Sequence, residues 1–454
     1  MIEDTGGESR LLLQFTVENF RSFKTSCMLS LEAGEADRDG SDAVPDMEGH
    51  VAVVGKERVL RTAAVFGANA AGKSNLFKAI EAAILLIRTS NVRQVGELLS
   101  PVVPFLFSEE TKDAPSVFEF VFLADGTKYV YGFSATRQRI VTEYLYRYNT
   151  ARSTRPATIF ERDVREKEEY HFTNATYRKE LSPIVARNTA NKLFLATATA
   201  WNSKTTAVPF AWFQKIDTSR LNQAGDYNMM LPRIVPLLQA DDDHSLREFI
   251  CQMLHKADIN IQDYLFESRD MSGAEFLSQL PSQLAEMLPP NIKQSRHTSV
   301  DFKFLHHVDG VDSRQGDNTF ALGLQDESDG TVNLFMMSPV LKQAFEEGRI
   351  LCIDEFDSSL HPLLVLYLVG LFHNPEVNKK NAQLIFSSHT TELLSSRVMR
   401  SDQVYFVEKD RNTGASELYS LDEFIPGADK DIRKAYLLGR YGAVPRINDG
   451  ELPW

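Results

Sequence analysis

The chain has 454 residues, 43% hydrophobic and 24% charged, with a formal net charge of −13. That is apolar content for two or three lobes with buried cores, and too acidic for a whole-surface grip on nucleic acid. No apolar stretch approaches the roughly 20 residues of a membrane span, and the acidic start MIEDTGGESR is no signal peptide, so a soluble cytoplasmic protein is expected.

Residues Leu11 to Val17 alternate apolar and polar, and SCMLSLEA repeats the pattern, so a hairpin opens the chain. The polar stretch EADRDGSDAVPDMEGH reads as loop. RTAAVFG is a short buried strand, GANAAGKSN a glycine-rich loop, and SNLFKAIEAAILLIRTS a helix. From Pro101 to about Ala200 the pattern is mostly β, with a hairpin signal at ADGT. From about Ser203 to Pro290 it turns helical, as in SLREFICQMLHKADI and AEFLSQLPSQLAEML, before VDFKFLHHV returns to strand. There is no internal repeat and no sustained heptad, which excludes a long coiled coil. The last third alternates helix and strand, the mark of a parallel sheet. Ser328 is placed to cap a helix closed by Gly348. RILCIDE, AQLIFSSH and SDQVYFVEKD follow as strands, PLLVLYLVGLFHN as a helix, and DIRKAYLLGRYGAVPRI as a helix with an irregular end. Cys27, Cys251 and Cys352 fit no metal-ligand spacing and read as reduced thiols.

Residues 67–74 fit G-x-x-x-x-G-K-[ST]. In such a loop the backbone around Gly67, Asn69, Ala70, Ala71 and Gly72, with Asn75 just beyond, closes on phosphate oxygens. Lys73 brings positive charge to the β- and γ-phosphates, and Ser74 offers a hydroxyl to Mg²⁺. A plain glycine-rich turn is the alternative, and the strand before and helix after favour phosphate. The four apolar residues 350–353 deliver Asp354 and Glu355 to a strand end, a costly arrangement unless something uses the carboxylates. Asp354 suits Mg²⁺ and Glu355 an attacking water. An ordinary strand end is the plain alternative for the acidic pair, a simple helix cap for Ser328 to Gly330, and a structural imidazole for His389.

The gap from Lys73 to Asp354 is 281 positions, far longer than small G proteins or RecA-like motors usually place there. Glycine-rich loop, Ser328-Asp-Gly330 at a helix start, Asp354-Glu355 and His389 come in the order of ABC-type ATPases of the SMC/RecF class, which the chain resembles. The expected fold is therefore α/β: an ABC-type ATPase head, a β-rich N-terminal lobe plus a parallel α/β core, with a helical insertion. The divisions are 1–202, 203–298 and 299–454. In that class a serine- and glycine-capped helix of one subunit meets the γ-phosphate held by another, so two heads close over two ATP molecules. DSSLHP stands where the class has the loop that crosses the dimer interface, and Ser328-Asp-Gly departs from its usual L-S-G-G-Q wording.

A narrower resemblance covers nearly the whole chain. LLQFTVENFRSF, AAVFGANAAGKSNLFKAI, NKLFLATA, IDEFDSSLHPLL and AYLLGRYGAVPRI look like the standalone ABC-type ATPases of bacterial abortive-infection and restriction-linked loci, the RloA/AbiL-like proteins. The resemblance implies an anti-phage ATPase that senses infection beside a separately encoded effector, often a TOPRIM-fold nuclease. It also makes Arg21 of NFRS a candidate phosphate contact and His389 a γ-phosphate sensor. Ala71 stands where relatives often carry serine. Two other functions compete. One is a RecF-like ATPase that clamps DNA, for which Arg147, Arg152 and Arg155 offer phosphate contacts, although a solvated loop is the plainer reading of that stretch in so acidic a chain. The other is a nucleotide-bound scaffold that never turns over.

Overall fold

The alternation beginning at Leu11 folds as β1 (Arg10–Glu18), antiparallel to β2 (Cys27–Ser30). The structure is a computed structural model that describes residues 10–34, 49–148, 156–218, 230–257, 260–279, 296–308, 318–395, 398–424 and 431–445. The polar loop after Gly34, Arg152, Arg155 and the helical reading beyond Gln279 lie outside the described residues. A hairpin not anticipated from the sequence, β3 (Val51–Val54) with β4 (Glu57–Leu60), turns at Gly55 with φ 62°. Then β5 (Thr62–Phe66), buried throughout, leads into the loop and α1 (Lys73–Thr89).

The N-terminal lobe is a seven-stranded antiparallel sheet in the order β10-β9-β8-β7-β6-β1-β2. Its members are β6 (Ser116–Ala124), β7 (Thr127–Ala135), β8 (Ile140–Tyr148), β9 (Ala157–Asp163) and β10 (Tyr170–His171). Asp125 and Gly126 both take positive φ, 49° and 68°, as a two-residue hairpin turn demands. The stretch to Ala200 is not β to its end, because α2 (Ala175–Val185) and α3 (Phe194–Ala200) complete it. Buried Glu143 of β8 decides where α3 starts: its carboxylate accepts from the N–H groups of Phe194 (2.6 Å) and Leu195 (2.9 Å) and from the Tyr131 hydroxyl (3.0 Å). The partners lie far apart in sequence, so no local signal announces that helix.

After α4 (Lys204–Phe213), β11 (Ile216–Asp217) joins a second, six-stranded sheet in the order β11-β15-β16-β5-β17-β18. The other members are β15 (Ile350–Ile353), β16 (Gln383–Ser387), β17 (Val404–Lys409) and β18 (Ser416–Ser420). β11, β15, β16, β5 and β17 run parallel, and β18 closes the edge antiparallel. Leu76, Ile80, Ala83 and Ile87 of α1 share one hydrophobic cluster with residues of both sheets. Gln383, the first residue of β16, stitches the sheets together: its amide accepts from Leu12 N–H (2.7 Å) and donates to the Leu12 (3.0 Å) and Leu60 (2.9 Å) carbonyls.

The chain packs as two compact units, the first being Met1–Arg220, Gln343–Asp357 and Pro362–Trp454, the second Leu221–Lys342 and Ser358–His361. The second holds α5 (Leu231–Gln239), α6 (Ser245–Lys256) and α7 (Gly273–Gln279), but the stretch 203–298 is not helical alone. A 12-residue strand, β12 (Ile261–Ser272), pairs antiparallel with β13 (Arg296–His307), which pairs with β14 (Thr319–Gly323). Its inward residues recur too irregularly to show period two, and long-range pairing settles it as a strand. Phe335 of α8 (Asp329–Glu347) packs on Tyr264, Phe302 and Phe304 of this sheet. In the first unit, α9 (Pro362–His373) precedes β16, and α10 (Ile432–Leu437) comes last.

Beneath the parallel sheet, His50 and His373 stack at 3.5 Å between ring centroids. Gln403 bonds His50 Nδ1 (2.8 Å), and Thr62 bonds His373 Nε2 (2.8 Å). Desolvation, with Arg61 close to both rings, lowers both imidazole pKa values, that of His373 well below the ordinary 6.5. The unfolded chain therefore takes up these protons first. The pair's contribution to stability is complete above pH 6.5 and is lost as pH falls from there toward the depressed folded values. The unfolding midpoint is expected to drop by a few degrees between pH 7.5 and 5.5, and less in His50→Gln. Identical slopes in the two proteins would remove the pair as the cause.

Candidate nucleotide site

Three parallel strands end side by side. Register pairs Ile353 with Phe386 and Ser387 with Val65, so the chain leaving β5, β15 and β16 emerges along one carboxyl edge. Open α/β sheets bind ligands at such an edge.

Residues 67–72 leave β5 and turn into α1. Gly72 has φ 122°, and a Cβ there would come within 2.9 Å of Ser22 Oγ. At Gly67 a Cβ would meet the Val407 carbonyl at 2.5 Å. Ser416 fastens the loop from the side, its hydroxyl donating to the Ala71 carbonyl at 2.6 Å. Ala70 sits at φ 63°, a left-handed conformation unfavourable for a residue with a Cβ. Lys73 is only 6% exposed, and its ammonium donates to the Gly67 (2.7 Å) and Ala68 (3.4 Å) carbonyls. Burial lowers its pKa from 10.5, against the opposing pull of Asp354, Glu355 and Asp357.

The turn after β1 abuts this loop. Asn75 donates from its side chain to Ser22 Oγ (2.8 Å), and Ser416 N–H to the Ser22 carbonyl (2.7 Å). Arg21, one residue before Ser22, has φ 51°, and its buried Nε–H meets no hydrogen-bond acceptor. A buried cation at a glycine-rich turn and an orphaned guanidinium N–H next to its buttress suit a phosphorylated ligand.

On the other side, Ser387 joins the acidic strand end to the histidine strand end. Its hydroxyl donates to Asp354 Oδ1 (2.6 Å) and accepts from Glu355 N–H (2.7 Å). Glu355 is exposed, and its backbone is left-handed at φ 54°. Asp357, not singled out from the sequence as a site residue, ties the next turn together. One carboxylate oxygen, Oδ2, accepts from Ser388 Oγ (2.9 Å), His389 N–H (2.7 Å) and Thr390 Oγ1 (2.9 Å). The hydroxyl residues flanking His389 in SSHT were the available signal. His389 is exposed, and its backbone N–H is fixed by Asp357.

Ser328 and Gly330 belong to the second unit. Ser328 accepts from Thr331 N–H at 3.2 Å and so caps α8. A Cβ on Gly330 would come within 2.7 Å of the Ser359 carbonyl, and Asn333 donates to the Ser358 carbonyl at 2.8 Å. A small residue at 330 is thus required by the DSSLHP turn alone.

Among the described residues no group of three or more His, Cys, Asp or Glu could hold a metal ion. Mg²⁺ held through phosphate oxygens and water needs only one or two protein ligands, so a cluster of three is not required for it. One carboxyl edge of the parallel sheet thus brings together a glycine-rich loop, an acidic strand end and a histidine strand end in an α/β fold. The chain belongs to the AAA_21 family, described as "AAA domain, putative AbiEii toxin, Type IV TA system", whose model matches residues 63–395. No curated protein matches it significantly.

Solved SMC heads superpose on it at low identity. An Smc head bound to the C-winged helix domain of ScpA shares 11% identity at a TM-score of 0.36, covering 90% of this chain and 97% of that one. The SMC head domain from Thermotoga maritima gives 13% and 0.38, over 90% and 98%. An Smc head with an extended coiled coil, bound to the C-terminal domain of ScpA derived from Pyrococcus furiosus, gives 10% and 0.39, over 95% and 99%. Superpositions this loose decide nothing about function. No helix among the described residues is long and apolar enough to cross a membrane.

Proposed function

We propose that this chain binds and hydrolyses ATP, and that two heads must pair over the nucleotides for turnover. The observation that carries the reading is the hydroxyl bridge at the sheet edge: Ser387 and Asp357 lock Asp354, Glu355 and His389 into one frame. In this reading the N–H groups of residues 67–74 and the Lys73 ammonium hold the phosphates. Arg21 adds a further cation, while Ser74 and Asp354 hold Mg²⁺, whose charge offsets that of the phosphate oxygens. Glu355 takes the proton of the attacking water, and His389 donates to the terminal phosphate. Ser328 and Gly330 of one copy supply the capped helix N-terminus to the nucleotide of the other. ATP then acts as a removable bridge between copies, and slow turnover suits such a timer.

The broader role is an RloA/AbiL-like anti-phage ATPase of an abortive-infection system. It controls a separately encoded effector, a TOPRIM-type nuclease being the first candidate. The family description, naming AbiEii toxin and a Type IV TA system, supports that direction. The net charge of −13 weighs against a DNA clamp. If two heads form one active unit, ATP turnover per chain rises with protein concentration before it levels off. A flat profile from nanomolar to micromolar protein, with no change in particle size on adding ATP, would overturn the pairing.

A further inference from the structure

The C-terminal segment lies outside the motifs used above, yet it forms one side of the candidate site. A cleft of about 280 Å³ is lined by Gly67, Ala68 and Asn69, by Ser388 and His389, and by Tyr436, Leu437 and Val444. Gly72, Lys73 and Ser74, at the start of α1, are not among its walls. In the nucleotide reading above His389 meets the terminal phosphate, and His389 is one of the walls of this cleft.

The segment is held there firmly. Tyr436 and Tyr441 both stack on Phe406 of β17, each at 15° between ring planes. Tyr436 also meets Phe66, the last residue of β5, at 6.3 Å. Gly442, at φ 66°, runs so close to β17 that a Cβ would come within 2.5 Å of the Glu408 carboxylate. Arg433 reaches the turn after His389, donating to Thr391 Oγ1 (3.1 Å) and Glu392 Oε1 (2.8 Å).

We propose that residues 431–445 form an apolar wall at the terminal phosphate of the bound nucleotide, making the site selective for triphosphate over diphosphate. The inference rests on the nucleotide reading above. An apolar wall removes water from one flank of the terminal phosphate, which strengthens its attraction to the loop N–H groups and His389. A diphosphate leaves that end of the cleft to water and gains little from the wall. Arg433 links the wall to the turn after His389.

Leu437 and its neighbour Leu438 supply the test, because both are exposed, at 58% and 66%, and only Leu437 lines the cleft. Affinities for ADP and slowly hydrolysed ATPγS, each with Mg²⁺, are measured by calorimetry on the full chain. Leu437→Glu is expected to weaken ATPγS by about tenfold or more through like-charge repulsion, with ADP changed less than about threefold. Leu437→Gln, which brings a polar group and water to the wall, is expected to weaken ATPγS by about threefold more than ADP, whereas Leu438→Glu, outside the cleft, is expected to leave both affinities near those of the parent. Equal losses for ATPγS and ADP, or Leu437→Glu matching Leu438→Glu, would overturn the wall. If the parent binds both nucleotides, Lys73→Met binds neither and Leu437→Glu leaves the ratio unchanged, the wall alone is wrong. If the parent binds neither, the nucleotide reading fails and the wall falls with it.

Discussion

Lys73→Met is expected to reduce nucleotide affinity by at least about 100-fold, near 2.7 kcal/mol, with the fold retained. The reason is electrostatic. Lys73 is buried among the fields of Asp354, Glu355 and Asp357, all of which repel a polyphosphate. Removing the one buried cation of the loop deletes an attraction and leaves three repulsions unopposed. Methionine keeps the aliphatic stem, so packing beside Gly67 and Ala68 changes little. Calorimetry with Mg·ATP reads the loss, and circular dichroism checks the fold. A variant that binds like the parent would remove residues 67–74 as the phosphate cradle.

Glu355→Gln is expected to slow hydrolysis by at least about 100-fold while ATP affinity stays within a few-fold of the parent. Glutamine keeps the shape and the backbone N–H that meets Ser387, but it cannot accept a proton from water. Binding without turnover is expected to leave paired heads in place, so the ATP-bound variant should elute at twice the mass of the chain. Undiminished hydrolysis would assign the proton to another group. Loss of both binding and hydrolysis would make Glu355 part of the cradle rather than of the chemistry.

Local chemistry made much of the fold legible. The strand before Gly67 is five buried residues, the helix after it carries its apolar residues at helical spacing, and Asp125-Gly126 fixes a hairpin through positive φ. The alternation of helix and strand in the last third shows directly in the parallel sheet. What stayed hidden depends on partners distant in the chain. β12 is a strand because β13 pairs with it, and α3 starts where it does because Glu143 waits some fifty residues upstream. Asp357 follows the same rule. Next to Asp354 and Glu355 it looks like one more acid on a loop, and its purpose appears only when Ser388, His389 and Thr390 converge on one of its oxygens. The buttress of Ser22 and Ser416 on Gly72 likewise joins residues nearly four hundred positions apart.

The left-handed backbone of Glu355 sets stability against turnover at a single position. A non-glycine residue at φ 54° stores on the order of 1–2 kcal/mol that glycine would release. The simplest way to make this loop sturdier is therefore to delete the carboxylate from which water activation is expected. If Glu355 activates water as proposed, selection for robustness and selection for turnover pull in opposite directions at this one position.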